Sequence, residues 1–311
     1  MADRALVRYR GIVYDSERWL GFRFRPGDIV VSTPPKCGTT WTQMICALLI
    51  LQRTDLGAPL STLSPWFDML SRARKDVLAD LEAQRPRRFI KNHTTLDGLP
   101  LDDSVTYISV GRDPRDVFLS MDAHLANMDF ERYKAARVEA ARIDGVEVGP
   151  LPPPPPRPDS AHERFWLWAE AEVPPGEVNS SLLRTLRHLE TFWDVRSEPN
   201  VVLLHFDDLK ADLHGQMRML ATRLGIDVPE DLWPELVAAA DFAAMRDKAS
   251  AVAPTSGGRS FWRKDARFFR SGTSGQWREL LDDDDLDRYR ARVSALVAPD
   301  LAAWAHGAAK V

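Results

Sequence analysis

The stretch from Asp28 to Leu51, DIVVSTPPKCGTTWTQMICALLIL, decides the fold of this chain. Its apolar residues Ile29–Val31 are all β-branched, which predicts a buried strand. Prolines 34 and 35 cannot donate to a sheet ladder, so we expect the strand to end before them. After a tight turn at residues 36–38, an apolar pattern of helical period begins at Thr39. The stretch therefore predicts a strand, a loop and a helix in succession.

The loop of this unit has the chemistry of an anion site. The first N–H groups of a helix lack intrahelical partners, and the helix dipole adds positive charge there. The ammonium of Lys36 and the hydroxyls of Thr39 and Thr40 lie at the same point, and Gly38 lets a ligand approach the backbone. These features predict a bound phosphate or sulfate. An ordinary joint capped by threonine is the alternative, but it does not explain the lysine.

Two further interpretations of the loop stay open. The common nucleoside-triphosphate pattern is GxxxxGK[ST], with lysine after the last glycine. Here Lys36 precedes Gly38, and no lysine follows it in the loop. However, VVLLHFDD at Val201–Asp208 resembles an apolar strand that ends in a magnesium-binding aspartate. A Mg-dependent P-loop phosphotransferase is therefore one alternative, and a nucleotide-binding module without chemistry is another.

Composition limits the class of protein. The 311 residues are 44% hydrophobic, which is enough for one large domain or two small ones. The formal net charge of −4 gives no reason to expect nucleic acid as a partner. We also expect no membrane span, because no uninterrupted apolar run of about eighteen residues occurs, and no signal peptide.

Cysteine usage predicts a cytoplasmic location. Cys37 and Cys46 form no CxxC pair, and the seven histidines show no metal-ligand spacing. A reducing compartment fits such unpaired cysteines. Cys37 lies at a predicted helix N-terminus, where its thiol could have a lowered pKa. No arginine follows it closely, as a phosphatase-like nucleophile would require, so we interpret it as a loop residue.

Three more strands are predicted, at 88–93, 105–110 and 200–206. Strands that alternate with helices indicate a single α/β domain, in which helices cover both faces of a central parallel sheet. Ligands in such folds bind at the carboxyl ends of the strands. Lys36, His93 and Arg112 each follow a predicted strand, so we expect these three side chains to converge.

The remaining chain is predicted as helices and two long loops. Helices are expected at 162–172, 180–196, 209–224, 230–240 and about 286–297, the last of them after an acidic start at Asp282–Asp285. Residues 135–160 are expected to form a proline-rich loop insertion, because LPPPPPRP at Leu151–Pro158 cannot be helical. This loop could be disordered or could cover an active site. The basic segment 259–275 is also predicted as a loop.

Five segments, taken together and in this order, resemble the cytosolic-type sulfotransferase family, with the look of a bacterial member. They are PPKCGTTW (34–41), RFIKNHTTLDGLP (88–100), YISVGRDPRDVFLS (107–120), PNVVLLHFDDLKADL (199–213) and FFRSGTSGQW (268–277). The resemblance implies one sulfotransferase domain over residues 1–311 with a P-loop-like strand–loop–helix. It also implies 3′-phosphoadenosine 5′-phosphosulfate as the co-substrate and 3′-phosphoadenosine 5′-phosphate as the product.

The implied reaction moves a sulfuryl group to a hydroxyl, or an amine, of a small hydrophobic acceptor. Such an enzyme must neutralise the leaving oxygens, deprotonate the acceptor and hold both in line. Fixed cations can do this without a metal, so we expect none. The resemblance implies that His93 is the general base, that Lys36 stabilises the leaving phosphate, and that Lys91 assists at the sulfuryl group.

The resemblance also implies three groups of donor contacts. The loop would bind the 5′-phosphate, the rings of Trp41 and Phe242 would enclose adenine, and a strand end, a helix and a late loop would bind the 3′-phosphate. The implied residues are Lys36, Cys37, Gly38, Thr39, Thr40, Trp41, Arg112, Ser120, Phe206, Phe242, Phe269, Arg270, Ser271 and Gly272. The chain departs from the family pattern at Phe206, where tyrosine is usual, at Ala240, where threonine is frequent, and at Ser271, where lysine is common. The family's dimer motif is not recognisable after Trp277, so the oligomeric state is open.

Four aromatic residues resemble positions that line the family's acceptor pocket. They are Phe22, Phe24, Trp66 and Phe67. Aromatic walls favour a hydrophobic alcohol, a phenol or a lipid-like acceptor. The alternative is that these rings belong to the core.

Overall fold

Four parallel strands form the central sheet of the computed structural model. They are β1 (Ile29–Ser32), β2 (Phe89–Asn92), β3 (Thr106–Gly111) and β4 (Val201–His205), in the spatial order β2-β1-β3-β4. Ile29 lies between Phe89 and Thr106, and Tyr107 pairs with Val201. All four predicted strands are confirmed to within one residue at either end. Their carboxyl ends lie at one edge of the sheet, where the predicted anion site lies.

Helices cover both faces of this sheet, as predicted. Ile29 and Val31 of β1 pack in one apolar cluster, while Val30 between them packs in another on the opposite face. All four residues of β1 are buried. A strand buried on both faces must be apolar throughout, which explains its continuous β-branched run. The sheet is therefore an internal layer that fixes the loops at its edge.

The structure describes residues 5–149, 151, 157–252, 255, 260–269 and 272–308. Its helices are α1 Thr39–Leu51, α2 Leu60–Leu63, α3 Arg74–Ala83, α4 Pro114–Asn127, α5 Phe130–Asp144, α6 Ala161–Ala169, α7 Leu182–Trp193, α8 Phe206–Ala211, α9 Leu213–Leu224, α10 Trp233–Ala240, α11 Phe242–Asp247, α12 Ala249–Val252, α13 Asp283–Leu296 and α14 Pro299–Ala305. None of the helices in these ranges is long and apolar enough to cross a membrane.

Local sequence signals explain where several helices begin. Asp113 caps α4 by accepting a hydrogen bond from the N–H of Arg115 at 3.0 Å, and Pro114 occupies the first helical position. Asp282 caps α13 in a reciprocal capping box with Asp285. The acidic run is therefore a helix start, as predicted.

The expected loop at 135–160 is partly wrong. Helix α5 continues to Asp144 and ends at Gly145 with a φ of 70°. Its few apolar residues gave a weak periodic pattern, because mainly Tyr133 and Ala140 face the core. Residues 150 and 152–156 of the proline run lie outside the described residues.

Two helix predictions also need correction. The predicted helix 209–224 is two helices, α8 and α9, which meet at Asp212. The carboxylate of Asp212 caps α9 by accepting from the N–H of Gly215 at 2.8 Å. The helix predicted near 286–297 is not the last one, because Pro299 begins α14.

Candidate active site

The loop between β1 and α1 has two residues in the left-handed backbone region. Lys36 has a φ of 70°, and Gly38, which precedes α1, has a φ of 106°. A Cβ at Gly38 would lie 3.3 Å from the ring of Phe206. Only glycine meets both requirements without strain. The start of α1 carries no side-chain cap from Gly38, so the helix N-terminus keeps the donor chemistry that suits an anion.

The two threonines after Gly38 are both buried. The Oγ1 of Thr39 lies 2.5 Å from the Oγ1 of Thr33, and the Thr33 hydroxyl also donates to the carbonyl of Pro34 at 3.0 Å. The hydroxyl of Thr39 is therefore part of a short network that shapes the loop.

His93 follows β2 and has a defined tautomer. Its Nδ1 lies 2.7 Å from the carbonyl oxygen of Thr33. A carbonyl only accepts, so Nδ1 carries the hydrogen and the lone pair is on Nε2. Burial lowers the pKa of His93 well below its ordinary value, and nearby Lys91 lowers it further. His93 is thus a neutral imidazole with the form that a general base requires.

A cavity lies next to His93. Polar and apolar side chains share its wall, including Tyr9, Tyr14, Thr95, Met121, Val178, Asn179, Arg184, Thr185 and His188. The hydroxyl of Tyr14 donates to the carbonyl of His93 at 3.1 Å. His93 is therefore part of the wall of this cavity.

Lys91 lies two residues before His93 and is only 5% exposed. Its Nζ is 4.4 Å from the ring centroid of Trp66, in a cation–π geometry. Burial lowers the pKa of Lys91 to about 7, against the opposing effect of Asp68. The Trp66 ring also meets the ring of His93 edge-on at 4.6 Å. Trp66 therefore connects the buried lysine with the candidate base.

Asp68 is a buried carboxylate that the sequence did not indicate. It accepts hydrogen bonds from the indoles of Trp66 at 2.6 Å and Trp19 at 3.3 Å, and from the hydroxyl of Thr94 at 2.5 Å. Burial raises the pKa of Asp68 to about 6. Asp68, held by Trp19 and Thr94, therefore fixes the orientation of the Trp66 ring through the indole N–H.

Arg112 connects three parts of the site. Its Nη1 donates to the carbonyl of Lys36 at 2.9 Å, and its Nη2 donates to the carbonyl of Thr273 at 3.3 Å. Its guanidinium lies 4.2 Å from the ring centroid of Phe206. Ser120 lies on α4 and is half-buried. Arg112 thus joins the backbone of the Lys36 loop to the late segment, and the convergence of the Lys36, His93 and Arg112 side chains stays a prediction.

The predicted adenine residues Trp41 and Phe242 each contact one other aromatic ring. Trp41 meets Phe206 at 5.4 Å, and its indole donates to the carbonyl of Ala240 at 2.8 Å. Phe242 meets Phe269 at 6.0 Å. A Cβ at Gly272 would come within 2.9 Å of the Phe242 ring, so this position needs glycine. Arg270 and Ser271 lie outside the described residues.

Three of the four predicted acceptor residues pack together in the core. Phe67 is fully buried, and its ring lies 4.6 Å from Phe22 and 4.4 Å from Trp19. Phe24 lies 5.0 Å from Phe22 in the same cluster. None of these three phenylalanines lines the cavity beside His93. Their position matches the core alternative, whereas Trp66 contacts His93 directly.

The pKa of Cys37 differs from the lowered value that the helix N-terminus suggested. Its side chain is buried, and burial raises the pKa of the thiol to about 12 instead of lowering it. The apolar surroundings outweigh the helix N-terminus, because a thiolate loses its hydration there. Cys37 therefore fits the interpretation as a loop residue.

Sequence reasoning also missed His124, which lies on α4. Its Nδ1 is 3.3 Å from the Nζ of Lys36. The sequence signal for His124 is its helical spacing from Ser120, because residues four apart on a helix share a face.

Comparison with known proteins identifies the family. The family model for the sulfotransferase domain matches residues 26–298. The chain belongs to the sulfotransferase family. It is 42% identical to a glycolipid sulfotransferase of Mycobacterium bovis over 320 residues, covering 98% of this chain and 95% of that protein. A Mycobacterium tuberculosis glycolipid sulfotransferase is also 42% identical, over 319 residues, with the same coverage.

The solved structures confirm the fold of this sulfotransferase. A mouse sulfotransferase crystallised with PAP has a TM-score of 0.66 at 18% identity, covering 94% of this chain and 92% of that one. The family contradicts the phosphotransferase alternative, since the transferred group is sulfuryl. Asp207, which lies in the first turn of α8 after β4 has ended, accepts a hydrogen bond from the hydroxyl of Ser274 at 2.6 Å. The extent of the domain over residues 1–311 stays a prediction.

Proposed function

We propose that this sulfotransferase uses 3′-phosphoadenosine 5′-phosphosulfate as its donor and a hydroxyl of a glycolipid as its acceptor. The observation that carries the proposal is the neutral His93. His93 lines a cavity, and the contact of its Nδ1 with the carbonyl of Thr33 leaves the lone pair on Nε2. The mycobacterial relatives are named for glycolipids, which supports this acceptor class.

In the proposed reaction, Nε2 of His93 takes the proton of the acceptor hydroxyl. The acceptor oxygen then forms a bond to sulfur, and the bond between sulfur and the bridging phosphate oxygen breaks. The ammonium of Lys36 neutralises the charge that develops on the leaving phosphate. The products are a sulfate ester and 3′-phosphoadenosine 5′-phosphate. Lys91, which is buried beside Trp66, would stabilise the transferring group in its charged form.

The chemistry of the loop supports donor binding. The N-terminus of α1, the glycine at position 38 and the nearby cations suit a 5′-phosphosulfate. We assign the 3′-phosphate to Arg112, Ser120, Arg270 and Gly272, with adenine next to Trp41 and Phe242. These assignments follow the sequence resemblance. The aromatic pairs Trp41–Phe206 and Phe242–Phe269 support the binding of an aromatic base next to them.

The cavity beside His93 supports an acceptor with several polar groups. Its wall carries the phenol of Tyr14, the amide of Asn179 and the guanidinium of Arg184 together with apolar Met121 and Val178. Sugars need hydrogen-bond partners that a purely aromatic pocket lacks. We therefore place a sugar hydroxyl, and not the lipid chain, at His93.

The buried, unpaired Cys37 and Cys46 support the cytoplasmic location.

The first experiment is calorimetric titration of the protein with 3′-phosphoadenosine 5′-phosphate in the absence of magnesium. Titration with ATP and magnesium runs in parallel. We expect a dissociation constant on the order of micromolar for the bisphosphate, about −8 kcal/mol. Binding of ATP that needs magnesium, with no response to the bisphosphate, would contradict the assigned donor.

The base is tested by His93→Ala. We expect transfer to a glycolipid acceptor to fall by about 10²-fold or more, because general base catalysis is lost, while bisphosphate affinity stays within about twofold. His162→Ala is the control, since His162 pairs with Asp285 on the surface. Near-normal turnover of His93→Ala would show that another group takes the proton.

A further inference from the structure

Lys36 is held by contacts on two sides. Its Nζ is 3.3 Å from Nδ1 of His124 and 4.4 Å from the ring centroid of Phe268. An ammonium only donates hydrogen bonds, so Nδ1 of His124 accepts and the imidazole hydrogen is on Nε2. This contact joins the first loop to α4, although the two residues are far apart in sequence.

The surroundings of His124 keep it in this acceptor form. The charged and titratable groups that face it are Lys36, Lys91 and His93. Burial lowers the pKa of His124 well below its ordinary value, and the two lysines lower it further. Its ring also meets Trp262 edge-on at 4.6 Å and Phe268 at 5.9 Å. A ring held on several sides has little freedom to turn away from the lysine.

We propose that His124 is a positioning residue for Lys36, whose ammonium it holds at the place where the leaving phosphate forms. A lysine has a flexible four-carbon stem, and an acceptor at a fixed position selects one of its many rotamers. The inference rests on the proposed role of Lys36. His124 thus acts on the reaction through Lys36 and not by its own proton transfer.

Three variants test this role. His124→Phe keeps a ring of similar size but removes the acceptor, so we expect kcat to fall on the order of tenfold with little change in the KM of the glycolipid acceptor. His124→Asn places a carbonyl oxygen near the position of Nδ1 and should restore most of the rate. Thermal unfolding of each variant checks that the fold is kept, and His124→Leu replaces His124→Phe if the latter does not fold.

The decisive measurement is the double-mutant cycle with Lys36→Ala. Lys36→Ala alone must lower transfer, which tests the proposed function separately. In that background, His124→Phe should cause no further loss, because the lysine it positions is absent. Equal losses with and without Lys36 would overturn the inference, because His124 would then affect the reaction independently of Lys36. A faster His124→Phe enzyme would also overturn it, since His124 would then hold Lys36 away from the donor.

Discussion

Buried charges beside the candidate base are the main feature at the scale of single residues. Lys91 and Asp68 are both buried, and burial disfavours the charged form of each. The pKa of Lys91 is lowered to about 7 and that of Asp68 is raised to about 6. The structure therefore holds two groups that change charge near neutral pH, within contact distance of Trp66.

The lowered pKa of Lys91 predicts a pH-dependent stability. Between about 7 and the ordinary value of 10.5, the unfolded chain holds a proton on Lys91 that the native protein lacks. The free energy of unfolding should therefore rise with pH in this window, by at most about 1.4 kcal/mol per pH unit. Urea unfolding between about pH 7 and about pH 7.8 measures this slope, before most of the unfolded cysteines, whose ordinary pKa is about 8.5, ionise and oppose it.

Lys91→Met should flatten that slope and stabilise the protein at pH 7, because the buried site no longer has to exclude a charge. Lys134→Met is the control, since the ammonium of Lys134 pairs with Glu131 at the protein surface. An unchanged slope in Lys91→Met would mean that Lys91 keeps its charge in the native state.

Asp68 predicts a second effect at this scale. Asp68→Asn keeps the size of the side chain but directs an amide N–H₂ at the donors Trp19, Trp66 and Thr94. We expect a loss of about 2 kcal/mol in unfolding free energy, because at least one buried donor loses its acceptor. Asp80→Asn, at a pair with Arg72 nearer the surface, should cost less than about 1 kcal/mol. Equal effects in thermal or urea unfolding would contradict the structural role of Asp68.

At the scale of elements, the start of α1 carries the strongest constraint. Gly38 has a φ of 106°, and a Cβ added at this position would lie only 3.3 Å from the ring of Phe206. Gly145 at the end of α5 has a φ of 70° but open space around it. The two glycines therefore share a backbone requirement and differ in their surroundings.

Gly38→Ala should lower stability by about 1–3 kcal/mol and weaken binding of the bisphosphate on the order of tenfold, because the loop must shift. Gly145→Ala should cost about 1 kcal/mol and leave the affinity unchanged. Calorimetry and urea unfolding of both variants measure the two effects. The anion-site assignment is wrong if Gly38→Ala binds the bisphosphate normally while losing stability.

The elements also show what the sequence could reveal. Strands were predictable because burial on both faces requires the apolar runs seen at Ile29–Ser32 and Val201–His205. Helix α5 was not, because it buries little surface and lacks a strong apolar stripe. The sequence pointed to His93 as a site residue, since a polar residue after a strand lies at the ligand edge, and the base role follows from the family resemblance. The sequence could not locate Asp68, whose partners Trp19 and Thr94 come from distant segments, and for His124 it offered only the helical spacing from Ser120.

At the scale of the whole molecule, the late segment, residues 260–269 and 272–280, closes over the carboxyl edge of the sheet. Arg112 donates to the carbonyl of Thr273, and the carboxylate of Asp116 accepts from the N–H of Gly275 at 2.8 Å and 3.0 Å. The guanidinium of Arg115 lies 3.5 Å from the ring centroid of Trp277. The start of α4 therefore holds the late segment in place. That segment carries Phe268, which contacts Lys36, and Gly272, which lies against Phe242.

Asp116→Ala should loosen the late segment without unfolding the sheet. The backbone N–H of Gly275 loses its acceptor, so we expect hydrogen exchange in the late segment to accelerate on the order of tenfold. Bisphosphate affinity should fall with it, because Gly272 and its neighbours are then less ordered before binding. Exchange in β1 and β3 should stay slow, since the buried sheet contributes to the global stability.

Asp122→Ala is the matched control, because Asp122 lies on the same helix but pairs with Arg157 and Arg164. It should leave exchange in the late segment and the bisphosphate affinity unchanged. If both variants weaken binding equally, the effect comes from α4 as a whole. A loss confined to Asp116→Ala would show that a single carboxylate, contacting the backbone of a distant segment, prepares the donor site before the donor arrives.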